Sequence, residues 1–478
     1  MIVKEFAYPK VIQFFEEISG IPRGSYHEEQ IALYLEAFAK ERGVDCYRDA
    51  LGNVLINCEA SEGYEREPAL LMQGHTDMVC EKNEGVEHDF LTDGIDLFVE
   101  DGWLRAKGTT LGADNGVAVA VMLATLDGAL GAHPALQCLF TVSEEVGLDG
   151  MKGFDMSRLF ARQMLNMDSA DENSIVVGCA GGMRTDMTIP VTRKKITAPL
   201  WKLRLGGLYG GHSGEDIHRG RANANRLLAF LLSRWRELDP TLRLISLHGG
   251  SKDNAIPREA TAIVMAEQGM VEQIRGFSSA IRKKLCDDDS GFFVELVPVT
   301  TAHMDPMDEE STEKILSLIC EVRNGVLSMC PHLPDLVEFS RNLAVVKTEE
   351  EALTICFSSR SAIDAQIDES AEELDALART VGGVTRHHSR YPGWSFEEHS
   401  PLREKYVAAY EKLFAKQPKL ETIHAGLECG LVKEIIPDMD ILSCGPVILD
   451  LHSPDEALDL ASFERFISIV KELLHSHF

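Results

Sequence analysis

Basic side chains are scarce relative to acidic ones, with 47 lysines and arginines against 76 aspartates and glutamates and a formal net charge of −29. A surface this negative repels nucleic acid and anionic membranes, so we expect neither as a partner. Long apolar runs are missing as well, since no stretch approaches the roughly 18 residues of a membrane span. The opening MIVKEFAYPK lacks the basic start of a signal peptide, which favours a cytoplasmic protein.

Paired cysteine motifs are also missing. The 11 cysteines follow no regular spacing and include no Cys-x-x-Cys pair, which argues against a thiolate zinc site and favours free thiols in a reducing compartment. The hydrophobic share of 45% is typical of a globular protein. A chain of 478 residues is long enough for two or three domains, each with its own core.

The first part of the chain alternates between helical and strand-like patterns. Residues 10–43 predict two helices, with Ser25 as a cap of the second, and the nearly all-apolar stretch 115–126 predicts a core helix. Continuous apolar runs predict strands buried on both faces, at 53–58, 69–75, 135–145 and 163–168. Such alternation predicts an α/β domain with a largely parallel sheet.

The middle of the chain has a different pattern, in which strand-like segments alternate with amphipathic helices. Strand and helix occur there in two similar rounds, which suggests two related α+β lobes. The predicted strands are 201–207, 261–267 and 353–359, and the predicted helices are 222–238, 271–285, 313–327 and 369–381.

Five segments carry an acidic or imidazole side chain where we expect an apolar strand to end. In open α/β sheets, ligand sites gather at the carboxyl ends of the strands, so the five side chains are predicted to form one site. They are His75, Asp114, Glu145, Asp168 and His452.

Two imidazoles and three carboxylates suit zinc or a similar transition ion better than calcium. With one carboxylate bridging, five residues can serve two ions and hold a water between them. Three carboxylates supply −3 against +4 from two divalent ions, so the site stays net positive. Asp77 is placed to orient the His75 imidazole. Glu144, expected to point away from Glu145, is placed to move the proton of the water.

Each piece also has an ordinary structural explanation. Asp114 fits the start of a helix, Asp168 a helix cap, and His452 a loop. A His-x-Asp or Glu-Glu pair is usually a solvated surface feature. The occurrence of all five after apolar runs favours the metal site.

The segments GHTDMV, ADNG, SEEVG and LHSPDE resemble the zinc-dependent exopeptidase family, which includes carnosinases, di- and tripeptidases and aminoacylase-type deacylases. The resemblance spans essentially the whole chain. SGIPRGSYHEEQ, HAGLECGL and GPVILDLHSPDE are similar to the branch of the family that cleaves Xaa-His dipeptides.

The resemblance implies a role for each ligand. His75 and Asp168 would hold one ion, Glu145 and His452 the other, and Asp114 would bridge them. The Asp114–Asn115 peptide is expected to be cis. Glu144 would be the general base and Asp77 the acid that orients His75. Zinc is the expected metal, with manganese or cobalt as alternatives.

The family also accounts for the 452 − 168 = 284 residues between two of the ligands. It implies a zinc-exopeptidase catalytic domain (1–185 and 389–478) interrupted by an α+β lid (186–388), through which such proteins form homodimers. Lid motifs place a transition-state histidine at His212, and Asn254 and Arg360 as further substrate contacts. Arg360 is suited to a substrate carboxylate through its bidentate fork. Glu428 is expected in the dipeptide pocket.

The predicted function is therefore two-metal hydrolysis of dipeptides, carnosine-like Xaa-His substrates in particular, by a water that Glu144 activates. Two alternatives stay open at this point. One is a deacylase acting on N-acyl amino acids, or a di- or tripeptidase of other specificity, at the same site. The other is a two-lobed protein that binds peptide or metal without turnover, against which the intact Glu144 argues.

Overall fold

The computed structural model describes residues 3–267, 269–331 and 336–477. Within these ranges no helix is long and apolar enough to cross a membrane. In chain order, the helices are α1 (Pro9–Ser19), α2 (Glu29–Arg42), α3 (Ala113–Leu126), α4 (Asp149–Gly153), α5 (Ala224–Leu238), α6 (Val271–Arg282), α7 (Glu309–Glu321), α8 (Asp364–Thr380), α9 (Pro401–Phe414), α10 (Glu428–Ile435) and α11 (Leu460–His475).

The strands belong to three sheets. In chain order they are β1 (Asp45–Arg48), β2 (Val54–Cys58), β3 (Leu70–His75), β4 (Leu97–Glu100), β5 (Trp103–Ala106), β6 (Leu136–Thr141), β7 (Gln163–Asn166), β8 (Ser174–Cys179), β9 (Gly181–Pro190), β10 (Leu200–Gly206), β11 (Arg243–Gly249), β12 (Ala260–Met265), β13 (Phe293–Val299), β14 (Gly325–Met329), β15 (Val337–Thr348), β16 (Ala352–Ser361), β17 (Val384–Tyr391), β18 (Lys419–Ile423), β19 (Asp440–Ser443), β20 (Ile448–Leu449) and β21 (Ala457–Asp459).

The chain divides into two compact units. The first contains the residues up to Gly178 together with 395–422 and 427–478, and the second contains 179–394 and 423–426. The sequence predicts boundaries at 185/186 and 388/389 instead. Its boundary at 185/186 falls inside β9, which pairs with β16 and β17 along its length and therefore lies wholly in the second unit.

The first unit is built on a sheet with the order β1-β2-β6-β3-β7-β19-β8-β18. Its central strands run parallel, because β3 pairs in parallel with β6 and β7, and β7 with β19. Antiparallel pairs flank them. The central strands β3 and β6 are buried along their whole length, as their continuous apolar runs predict. A smaller antiparallel sheet, β20-β21-β5-β4, belongs to the same unit.

The core of this unit forms around α3, which is apolar nearly all round and buried except at Asp114. Helix α1 packs its buried Phe15 and Ile18 into the same cluster. The prediction that Ser25 caps α2 is wrong. The N-cap position belongs to Glu28, and the Ser25 hydroxyl donates instead to the Asp77 carboxylate at 2.8 Å.

The second unit contains one large sheet with the order β13-β10-β12-β11-β15-β16-β9-β17, and β14 pairs with β15. Helices α5 to α8 bury their apolar faces in its core. The predicted helix at 313–327 was too long at its C-terminal end. Helix α7 ends at Glu321, and β14 begins at Gly325, which has a left-handed φ of +89° that breaks the helix.

Candidate active site

The carboxylate of Asp114 lies between two imidazoles of the first unit. Its Oδ1 is 3.0 Å from Nε2 of His75, and its Oδ2 is 3.3 Å from Nε2 of His452. His75 is the last residue of β3 and only 1% exposed. His452 follows β20 in a loop, and half of its side chain is exposed. Asp114 thus presents one oxygen to each histidine.

A second carboxylate lies beside each histidine. Asp168 Oδ1 is 3.5 Å from Nε2 of His75, and Glu145 Oε2 is 3.2 Å from Nε2 of His452. Ligand atoms of His75, Asp114 and Asp168 lie within 4.8 Å of one another, and so do those of Asp114, Glu145 and His452. The five predicted ligands therefore form two triads that share Asp114.

The prediction that Asp114 follows a strand is wrong. Asp114 lies in the first turn of α3, where its backbone departs from helical geometry and the Asp114–Asn115 peptide is cis. The cis bond confirms the expectation for that peptide. Glu145 likewise lies beyond the end of β6 at Thr141, so the predicted strand at 135–145 was too long.

The electrostatics of the site reflect crowded carboxylates around two imidazoles. Burial opposes protonation of His75, but Asp168, Asp114 and Asp77 outweigh it and raise its pKa well above the ordinary value. Hydrogen bonds to Asp114 and Glu145 raise the pKa of His452 to about 10. The carboxylates thus favour positive charge at both imidazoles, and the same carboxylates would favour a bound cation.

Asp77, which is fully buried, connects His75 to the loop that carries Glu144. Its carboxylate is 3.3 Å from Nδ1 of His75, and its backbone carbonyl lies 3.1 Å from the same atom. The contact directs the Nδ1 proton toward Asp77 and leaves Nε2 for the triad. The same carboxylate accepts the backbone N–H groups of Glu144 at 3.0 Å and Glu145 at 3.3 Å.

Glu144 does not point away from Glu145. Atoms of His75, Glu144 and Glu145 lie within 4.8 Å of one another, so both carboxylates face the same space. The alternation of a strand does not apply here, because β6 has ended and Ser143 has a positive φ of +51°. Burial raises the pKa of Glu144 well above its ordinary value, as suits a proton carrier near neutral pH.

Glu428 is fully buried at the start of α10, in the first unit. Its Oε2 accepts hydrogen bonds from the side chains of Gln73 and Thr141, and its Oε1 has no partner. Burial raises the pKa of Glu428 to about 8. The unpaired oxygen leaves Glu428 able to make one further hydrogen bond.

In the second unit, His212 lies in a loop that Asn254 and Asp216 hold in place. Ser213 N–H donates to the carbonyl of Asn254 at 2.7 Å, and the Asp216 carboxylate accepts the N–H of His212 at 2.9 Å. Glu215 N–H donates to Nδ1 of His212 at 3.2 Å, which leaves Nε2 to carry the proton of the neutral ring. Burial and the nearby Arg360 lower the pKa of His212.

Arg360 projects from β16 and is 7% exposed. Its Nη1 donates to the Tyr391 hydroxyl at 2.8 Å, and its Nε has no partner. Gly182 makes room for this contact, since a Cβ there would lie 2.4 Å from the Tyr391 oxygen. Nearby, Ser340 hydrogen-bonds His424 at 2.6 Å, and burial lowers the pKa of His424 to about 3.

Comparison with known proteins decides the family. Residues 71–476 match the model of peptidase family M20/M25/M40. The chain belongs to peptidase family M20/M25/M40. It is 38% identical over 467 residues to the cytosol non-specific dipeptidase of Escherichia coli, with 96% of each protein covered.

Two solved structures agree with this chain in fold. The aminoacylhistidine dipeptidase from Vibrio alginolyticus has a TM-score of 0.93 and 36% identity, covering 98% of this chain and 96% of that one. Aminopeptidase PepT from Bacillus cereus, at 16% identity, has a TM-score of 0.57 with 98% of each chain covered. These matches confirm the predicted fold class, the family resemblance and the assignment as a hydrolase.

The donor set of this M20 chain fits divalent metal ions. Nitrogen and carboxylate donors in two clusters are the ligands of zinc and its neighbours. Oε1 of Glu145 is buried and has no hydrogen-bond partner, and a cation would satisfy this oxygen. Among the described residues, only imidazoles form ion pairs with the carboxylates of Asp114, Asp168 and Glu145.

Several residues that support these sites were not predicted from the sequence. Tyr391 and His424 contact the Arg360 region of the second unit, and Arg23 and Glu456 contact the loops of the first. Arg23 and Glu456 lie inside the SGIPRGSYHEEQ and LHSPDE motifs, so the motifs contained them, but their role depends on backbone contacts that no spacing reveals.

Proposed function

We propose that this M20 chain is a dipeptidase that uses two divalent ions, zinc by preference, to hydrolyse dipeptides of the Xaa-His type. The observation that carries the proposal is the shared Asp114, with one oxygen facing His75 and the other facing His452. One carboxylate between two triads is the arrangement that a two-ion site requires. The names of the Escherichia coli and Vibrio alginolyticus relatives support a dipeptidase.

Five residues would hold the ions: His75 and Asp168 one of them, Glu145 and His452 the other, with Asp114 between. When bound, the two ions supply Lewis acidity that stabilises the negative charge developing on the scissile carbonyl oxygen. Asp77 keeps the His75 ring in the tautomer that offers Nε2. The buried carboxylates otherwise repel one another, so the apo site is poised for cations.

Glu144 would act as the proton carrier. Its carboxylate faces the same space as His75 and Glu145, and burial makes it a stronger base than an exposed glutamate. It accepts a proton from the attacking water and then donates a proton to the amine that leaves. Asp77 holds the backbone of Glu144 and so fixes where that proton is taken.

Each unit, taken by itself, offers groups suited to substrate recognition. Glu428, with its unpaired oxygen, offers one further hydrogen bond in the first unit. In the second unit, Arg360 has an unpaired Nε and is suited to the C-terminal carboxylate of a dipeptide. His212, whose neutral ring carries its proton on Nε2, would donate a hydrogen bond to the scissile carbonyl oxygen as that oxygen gains negative charge. Asn254 would complete this group.

Initial rates on a substrate panel test the proposal. The panel contains Xaa-His dipeptides including β-alanyl-histidine, Xaa-Leu dipeptides, tripeptides and N-acetyl amino acids, each with and without added zinc, manganese or cobalt. We expect metal-dependent hydrolysis of dipeptides, fastest with histidine second. Preferred cleavage of N-acetyl amino acids would assign a deacylase instead, and tight binding without turnover would assign a binding protein.

Homodimerisation through the second unit and a cytoplasmic location stay predictions. The word cytosol in the name of the Escherichia coli relative supports the location. Sedimentation of the purified protein tests the dimer.

A further inference from the structure

Glu456 makes an unusual set of hydrogen bonds. It is 3% exposed and lies in the LHSPDE segment that begins with Leu451 and His452. Its Oε2 accepts the backbone N–H groups of Leu111 at 2.8 Å and Gly112 at 2.9 Å. Its Oε1 accepts those of Ala113 at 2.9 Å and Asp114 at 3.3 Å. One carboxylate thus satisfies four consecutive backbone donors.

The same backbone segment is also held through a carbonyl group by Arg23, which is 2% exposed. Its Nη2 donates to the carbonyl of Gly112, and its Nη1 donates to the carbonyl of Thr76 at 2.9 Å. Gly112 has a left-handed φ of +69°, and a Cβ there would lie 2.5 Å from the Arg23 nitrogen. The close approach therefore depends on glycine.

Together the two charged side chains connect three loops that carry proposed ligands. Arg23 holds the segment after His75 and the segment before Asp114, while Glu456 connects the latter to the loop of His452. Burial lowers the pKa of Arg23, and the negative charge of Glu456 is the largest influence against it. The carboxylate of Glu456 thus favours the charged form of Arg23 in the interior.

We propose that Glu456 is a positioning residue that fixes the backbone of Asp114 between His75 and His452 and thereby sets the affinity for both ions. The inference rests on the proposed function, in which Asp114 serves both ions. A purely structural role is the competing explanation. A carboxylate that accepts four backbone donors at the start of α3 also acts as a helix cap and would stabilise the helix without any effect on the ions.

Glu456→Gln tests the proposal with nearly unchanged side-chain size. An amide offers one accepting oxygen, and its NH₂ group faces two backbone donors, so two of the four hydrogen bonds are lost. We expect zinc affinity of the metal-stripped full-length protein, measured by competition with a chromogenic chelator, to fall about 10–100-fold. The absorption spectrum of the cobalt-loaded protein should change as well.

Asp440→Asn is the matched control. The Asp440 carboxylate also accepts a backbone N–H, that of Leu402 at 2.8 Å at the start of α9. The backbone of Asp440, in β19, pairs with that of Gln163 at the start of β7. Asp168 follows the opposite end of β7, so Asp440 lies away from the proposed ligands. We expect Asp440→Asn to lower the melting temperature without changing zinc affinity or the cobalt spectrum.

A Glu456→Gln protein that melts earlier but binds zinc with wild-type affinity would overturn the inference. If that variant does not fold, Glu456→Asp replaces it, since its charge is kept while its reach is shorter. Wild-type zinc affinity in a folded Glu456→Asp protein would also count against the inference, and weakened affinity would support it. Failure of the wild-type protein to bind zinc would instead overturn the proposed function.

Discussion

Asp77 accepts the backbone N–H of Glu144 at 3.0 Å, so the residue that orients the His75 ring also fixes the proposed proton carrier. The two functions meet in one buried carboxylate. A change at Asp77 should therefore affect metal binding and proton transfer together.

Asp77→Asn is expected to lower kcat/KM for dipeptides by about 10–100-fold and to weaken zinc binding, because the amide cannot accept as many hydrogen bonds and loses the charge beside His75. Ser25→Ala is the graded control, since Ser25 only donates one hydrogen bond to Asp77. We expect Ser25→Ala to lower kcat/KM less than Asp77→Asn does. An Asp77→Asn enzyme with wild-type rate and zinc affinity would contradict this role.

The neighbouring glutamates should separate chemistry from metal binding. Glu144→Gln is expected to lower kcat by about 10²–10⁴-fold while the protein still binds two zinc ions, because a proton carrier is lost. Glu145→Gln should lower zinc occupancy, since it removes a ligand from the His452 triad. Elemental analysis and steady-state rates on both proteins provide the comparison. Equal loss of zinc in the two variants would contradict the assignment of Glu144 as a proton carrier and Glu145 as a zinc ligand.

Arg360 should act on the substrate carboxylate. Arg360→Lys is expected to raise KM for dipeptides, because lysine lacks the bidentate fork, and to change KM for the matching dipeptide amides far less. Tyr391→Phe should raise KM more modestly, since the Tyr391 hydroxyl only orients one nitrogen of Arg360. Equal effects on acids and amides would show that Arg360 does not bind the carboxylate.

The second unit contains an ion pair whose stabilisation should depend on pH. Glu373 accepts from the fully buried Arg341 at 2.9 Å and also pairs with Arg323. Burial favours the neutral acid, but the hydrogen bonds from Arg323 and Arg341 outweigh it and lower the pKa of Glu373 from 4.5 to about 2. A lowered folded-state pKa means that the stabilisation is present above pH 4.5 and is lost as pH falls toward 2.

Urea denaturation of wild type and Glu373→Gln should therefore show the larger difference in free energy of unfolding at pH 7 and a smaller one at pH 3. Glu369→Gln is the control, since Glu369 is largely exposed and lies 3.6 Å from Arg323. We expect that control to change little at either pH. A Glu373→Gln difference that stays constant from pH 7 to pH 3 would contradict the assigned pKa.

The strands that end at His75 and near Asp168 were predictable from the sequence, because continuous apolar runs identify buried parallel strands. The prediction that every ligand follows a strand was wrong for Asp114, which begins a helix, and inaccurate for Glu145, which lies past the end of β6. Local patterns do not reveal where a chain leaves a strand, since positive-φ turns such as that at Ser143 depend on tertiary contacts.

The supporting residues were harder to predict for a related reason. Arg23 and Glu456 act on backbone groups far away in sequence, and a backbone partner leaves no mark on residue type. Helix α7 was predicted too long because its apolar periodicity continues into β14, where pairing with β15 decides the structure. Ser25 matched a cap pattern, but Asp77 competes for its hydroxyl.

The central claim, two ions around Asp114 that drive dipeptide hydrolysis, is tested most directly by adding zinc to the metal-stripped protein while measuring the rate of β-alanyl-histidine cleavage. The account predicts no cleavage without metal and a rate that rises to a plateau at two zinc ions per chain, in wild type but not in Asp114→Asn. Full cleavage by the metal-free protein, or wild-type behaviour of Asp114→Asn, would contradict it.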